Sequence, residues 1–85
     1  MADKTRQPLI FYGTAWCSDC RRSKRFLDEH HILYDYIDIE QDTNAMTRVM
    51  ELNHGMRSVP TIIFPDGSIL VEPSNSELAR KLGIQ

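Results

Sequence analysis

The chain has 85 residues, 41% of them apolar and 26% charged, with 10 Lys and Arg against 12 Asp and Glu for a formal charge of −2. That balance is ordinary for a folded domain; it excludes a disordered chain and gives no electrostatic footing for nucleic acid or an anionic membrane. The length allows one small domain, taken as residues 1–85, and no apolar run approaches the roughly 20 residues a membrane helix needs.

The opening stretch, MADKTRQPL, lacks the long apolar core of a secretory leader, so a cytoplasmic location is expected. Leu9-Ile10-Phe11-Tyr12 is a short apolar run closed by Gly13-Thr14, which suits a buried strand. From Cys17 to His31 the pattern turns helical. Cys20, Ser23, Phe26, Leu27 and His30 fall on one side of the wheel, while Arg21, Arg22, Lys24, Arg25, Asp28 and Glu29 fall on the other. On that polar side, Lys24–Asp28 and Arg25–Glu29 have the spacing of helical ion pairs.

Leu33 to Ile39 alternates toward its end as a strand does. Asp42-Thr43-Asn44 offers helix caps, Met46, Val49 and Met50 continue at helical spacing, and Gly55 is placed to stop that helix. Val59 to Phe64 reads as a strand opening on a proline, and Pro65-Asp66-Gly67-Ser68 turns it back into Ile69-Leu70-Val71 as a hairpin. Ser74-Asn75-Ser76-Glu77 has the form of a capping box, with a short helix to Leu82 before Gly83. The order is β-α-β-α-β-β-α. Its first three elements predict a right-handed parallel unit, and its closing hairpin makes the sheet mixed.

Both cysteines lie in Trp16-Cys17-Ser18-Asp19-Cys20, at the junction of the first strand and the first helix. A structural zinc site needs about four ligands. This motif supplies two, and His30, His31 and His54 do not supply a second pair at finger-like spacing, so no metal is expected. At a helix start the unpaired N–H groups and the positive end of the dipole stabilise a thiolate. Cys17 is placed there, with its sulfur facing solvent, and Cys20 one turn in, toward the packed side. That asymmetry suits an attacking Cys17 and a resolving Cys20. Arg21 shares the face of Cys17 and is a candidate for the thiolate or for a substrate carboxylate. Asp19 helps the helix start but opposes a thiolate beside it.

Trp-Cys-x-x-Cys after a strand, then Ser58-Val59-Pro60-Thr61 opening a later strand, resembles the thioredoxin superfamily over Leu9 to Leu82. Met1 to Pro8 leave no room for the extra strand and helix of thioredoxins. The minimal length and the Val-Pro match point to the glutaredoxin family and, within it, to mycoredoxin-like proteins. That further likeness rests on Tyr34-Asp35, Ile37-Asp38-Ile39-Glu40, Phe64-x-Asp66-Gly67-Ser68 and Pro73-Ser74. From mycoredoxins the chain departs at Ser18-Asp19; from glutathione-using glutaredoxins it departs also at Thr14, where they place a lysine, and at Pro73 to Glu77, where they read Gly-Gly-x-Asp-Asp.

The resemblance implies a thioredoxin-like fold with a four-stranded mixed sheet flanked by helices and a cis Val59–Pro60 bond. It also implies a monomeric thiol–disulfide oxidoreductase with no bound cofactor. The co-substrate would be a low-molecular-weight thiol, mycothiol or glutathione, and the clients S-thiolated or disulfide-containing proteins. Tyr12 and Trp16 are expected as apolar walls, with the Val59 backbone next to Pro60 as substrate partner. The helix start at Ser74, Asn75 and Ser76 is a candidate carboxylate site. Two rivals stay open: a protein reductant that feeds ribonucleotide reductase and is recharged by a flavoprotein reductase, and an iron–sulfur carrier using Cys17.

Overall fold

The computed structural model describes residues 7–84. The first six residues, on which the expectation of no secretory leader largely rests, lie outside the described residues. Seven elements follow in the expected order: β1 (Leu9–Gly13), α1 (Ser18–Glu29), β2 (Tyr34–Asp38), α2 (Thr43–Leu52), β3 (Thr61–Ile63), β4 (Ile69–Val71) and α3 (Asn75–Leu82). The sheet order is β2-β1-β3-β4. β1 pairs parallel with β2 and antiparallel with β3, and β4 closes the hairpin antiparallel to β3. A parallel pair needs a long crossover, here α1, whereas the four-residue Pro65–Ser68 turn suffices for the hairpin.

Alternation along β1 divides the core. Leu9 and Phe11 pack with Cys20 and Leu27 of α1, Ile62 of β3 and Leu78 of α3. Ile10 and Tyr12 face the other way, onto Ala45 and Val49 of α2 and Ile39. A strand with apolar residues on both faces must be central, and β1 is. Phe11 is fully buried, with the rings of Tyr34 and Tyr36 each 5.7 Å away in tilted contact.

Each helix start is satisfied by its own sequence. Asp42 caps α2 by accepting the Ala45 N–H at 3.0 Å. Ser74 caps α3 as a complete capping box: its hydroxyl accepts the Glu77 N–H at 3.1 Å, and the Glu77 carboxylate accepts the Ser74 N–H at 2.8 Å. α3 ends on Gly83 in the left-handed region, φ 71°. α2 ends before Gly55, at Asn53, whose amide donates to the Val49 carbonyl and the Thr61 hydroxyl.

Candidate active site

Cys17 is the N-cap of α1. A cap residue normally offers an oxygen to the first turn; here the sulfur takes that place and accepts the Cys20 N–H at 3.1 Å. A negative charge on this atom would be met by a backbone donor and by the positive end of the helix. The Cys17 thiol also points at the Val59 carbonyl, 3.9 Å away, and the Val59–Pro60 bond is cis. The site is therefore built from two distant segments, 17–20 and 59–60, that meet because β1 and β3 are neighbours.

Cys20 is 1% exposed and lies under Cys17 against Gly13. Burial, then the contact with Cys17, pushes its thiol up to about 12 from an ordinary 9.0. Tyr34 is likewise raised to about 12, by burial and by donating its hydroxyl to Asp28 at 2.9 Å. Both groups have folded-state values above their unfolded ones. Their contribution to stability is whole below the unfolded value and lost as pH climbs through the folded one. We expect stability to decline from about pH 9 toward pH 12, by at most roughly 1.4 kcal/mol per pH unit for each group. Denaturant titrations at stepped pH should show it. Cys20→Ser should remove the part that begins near pH 9, and a flat profile to pH 11 would contradict the burial of Cys20.

Cys17 lies on a cleft of about 490 Å³, lined also by Trp16, Ser18, Asp19, Arg57, Ser58, Val59 and Glu72. Cys17 is only 8% exposed, so its sulfur is more covered than a helix start on open solvent predicts. The reason is the Val59–Pro60 segment laid across it. Trp16 stands 66% exposed on the rim, its indole N–H donating to Glu40 at 3.1 Å. It is a surface group, not core.

Several expected site residues are placed elsewhere. Tyr12 is buried on the α2 side of the sheet and is not a cleft wall; strand alternation sends it opposite to Phe11. Arg21 is exposed and turns back to donate to the Ala15 carbonyl at 3.0 Å, fastening the loop before α1 rather than facing the cleft. Ser74 and Asn75 border a neighbouring hollow with Arg22, Glu72 and Glu77, whereas Ser76 is exposed outside it. At this helix start the protein's own Glu77 carboxylate accepts the Ser74 N–H, bringing a negative charge to the expected carboxylate site. Among the described residues neither Lys24–Asp28 nor Arg25–Glu29 forms an ion pair; the Lys24 ammonium lies 4.0 Å from the centre of the Tyr36 ring.

Two residues near the site were not foreseen. Arg22 is not a free surface cation. It donates to the Asn75 side chain at 2.6 Å and to the Pro73 carbonyl at 2.8 Å, and lies 3.7 Å from the Asp19 carboxylate. It thereby ties α1 to the start of α3. Glu72 has φ 51°, donates its N–H to the Pro60 carbonyl at 2.8 Å, and lines both hollows. Partners more than fifty residues away leave no local signal for Arg22, and nothing in Val71-Glu72-Pro73 announces a left-handed residue.

The family model described as Glutaredoxin matches residues 9–69. The chain is 45% identical over 74 residues to a candidate glutaredoxin of Mycobacterium tuberculosis, covering 87% of this chain and 88% of that one. It is 38% identical over 74 residues to Mycoredoxin 1 of Corynebacterium glutamicum, covering 87% and 91%. Its backbone matches the crystal structure of a point mutant of the thioredoxin-like protein BC3987 with a TM-score of 0.81 at 24% identity, over 93% of this chain and 99% of the other. The cysteine pair at a helix start, the Val59 carbonyl facing Cys17, the four-stranded mixed sheet and these likenesses agree: the chain belongs to the glutaredoxin family, and it is a thiol–disulfide oxidoreductase of the thioredoxin-like fold.

Proposed function

We propose that this protein reduces mixed disulfides between proteins and a low-molecular-weight thiol, of the mycothiol or glutathione type, with Cys17 as nucleophile and Cys20 as resolving thiol. The observation that carries the reading is the Cys17 sulfur as cap of α1, holding the Cys20 N–H at 3.1 Å beside the cleft that Cys17 lines. The Cys17 thiolate attacks the sulfur of the small thiol in the mixed disulfide. The protein–thiol S–S bond breaks, a Cys17–small-thiol disulfide forms, and the client leaves as a thiolate that takes a proton from water. A second molecule of the small thiol then attacks that disulfide. The Cys17–small-thiol bond breaks, Cys17 leaves as the thiolate, and the two small thiols, which have supplied two electrons to the client, depart joined as their disulfide.

In the alternative exit Cys20 attacks Cys17, expelling the small thiol and leaving a Cys17–Cys20 disulfide. That route must first take the proton from a thiol that burial raises. Trp16 and the Val59 backbone are the proposed substrate contacts. The protein would act as a monomer, a single 1–85 unit in the cytoplasm, where small thiols are kept reduced.

The test is one mixed-disulfide reduction assay run in parallel with glutathione, mycothiol, bacillithiol, and a flavoprotein thioredoxin reductase with NADPH. Turnover with at least one small thiol is expected. Turnover with the reductase alone would overturn the reading in favour of a protein-directed reductant.

A further inference from the structure

From the groups around the cleft we infer that Glu72 sets its charge selectivity, disfavouring substrates that carry carboxylates near the reacting sulfur and favouring those whose non-sulfur end is neutral or cationic. The inference rests on the thiol–disulfide reading above and deepens it. The start of α3, beside the cleft, would ordinarily attract an anion, but its Ser74 and Glu77 N–H groups are spent on the capping box, and the Glu77 carboxylate sits there itself. Arg22 borders the same hollow, yet its guanidinium is committed to Asn75, Pro73 and Asp19. Of the cleft's own lining, Asp19 and Glu72 are acids and Arg57 is the one cation.

Glu72 is the residue that lines both hollows, so a substrate reaching from Cys17 toward α3 passes it. Its backbone is pinned to Pro60, the residue that follows Val59 on the Cys17 side. It holds φ 51°, a region where a glycine would sit without steric cost.

The test compares reduced wild type with Glu72→Gln, in second-order rate constants for oxidation by three small disulfides. These are dithiodipropionate (two carboxylates), hydroxyethyl disulfide (neutral) and cystamine (two ammonium groups). In each reaction Cys17 attacks one sulfur, the S–S bond breaks and a first thiol equivalent is released, its rate being the one compared; attack by Cys20 on the mixed disulfide releases a second and leaves the Cys17–Cys20 disulfide. Taking the variant-to-wild-type ratio for each disulfide removes its intrinsic reactivity. We expect the ratio to rise about threefold for the dicarboxylate, stay near one for the neutral disulfide and fall below one for cystamine, with the spread shrinking at high salt. Equal ratios for all three, in Glu72→Gln and in Glu72→Gly alike, would overturn the inference and leave the redox reading intact. Failure of all three disulfides to oxidise the wild type would instead overturn the redox reading and this inference with it.

Discussion

Cys17→Ser is expected to lose mixed-disulfide reduction to the uncatalysed background while keeping the fold, and Cys20→Ser to keep most of the activity. Serine is among the preferred N-cap residues, so its hydroxyl can take over the bond from the Cys20 N–H that the sulfur now accepts. The midpoint of thermal unfolding should therefore hold or rise, which separates a chemical loss from a structural one. The chemistry cannot be rescued in the same way, because the thiolate is the nucleophile and a serine hydroxyl at neutral pH supplies no comparable anion. For Cys20→Ser the helix N–H that faces Cys17 belongs to the backbone and survives. What is lost is at most a thiol-to-sulfur contact worth on the order of 1 kcal/mol, about fivefold in rate. Steady-state reduction of a thiolated peptide, beside thermal melts, checks both. A Cys17→Ser protein that still turned over would remove Cys17 from the role of nucleophile. A Cys20→Ser protein at background would show that the intramolecular exit is obligatory.

The fold was legible because its signals are local. Four-residue apolar runs, a helical wheel with Cys20, Ser23 and Leu27 on one side, and the Ser74–Glu77 capping box each report on neighbours within one or two turns. All recur in the structure at nearly the expected bounds. The Cys17–Val59 meeting is not local, and the likeness to a known family carried it. Where the reading departs from the structure, geometry across the sheet or between helices decides. Tyr12 is expected as an apolar wall of the site, but the pleat that puts Phe11 toward α1 sends Tyr12 to α2. The Ser74–Ser76 start is expected to hold a carboxylate; the same capping box that makes it recognisable also sets the Glu77 carboxylate beside it. Arg22 and Glu72 depend on contacts and a backbone angle that no periodicity encodes.

Gly13→Ala is expected to cost about 2 kcal/mol, roughly 10 °C in the unfolding midpoint of a domain this size, although the change usually stabilises. Gly13 ends β1, directly behind the cysteines, and its φ lies outside the left-handed region, so its backbone alone does not demand glycine. Space demands it. A β-carbon there would come 3.0 Å from the Cys20 sulfur, 3.0 Å from Cε1 of Tyr36 and 3.1 Å from Cε1 of Phe11. Two of the three neighbours are fully buried, and the Cys20 sulfur is carried on the first turn of α1, which also supplies the N–H that Cys17 accepts. The entropy gained by stiffening the unfolded chain, about 0.4–1 kcal/mol, is smaller than the cost of pushing a helix turn off the sheet. If the sulfur is the main obstacle, removing it should make room. The double variant Gly13→Ala/Cys20→Ala should be more stable than the sum of the two single changes implies, with a coupling of about 1 kcal/mol. Denaturant titrations of the four proteins close the cycle. Strict additivity would place the strain on the Phe11 and Tyr36 rings instead.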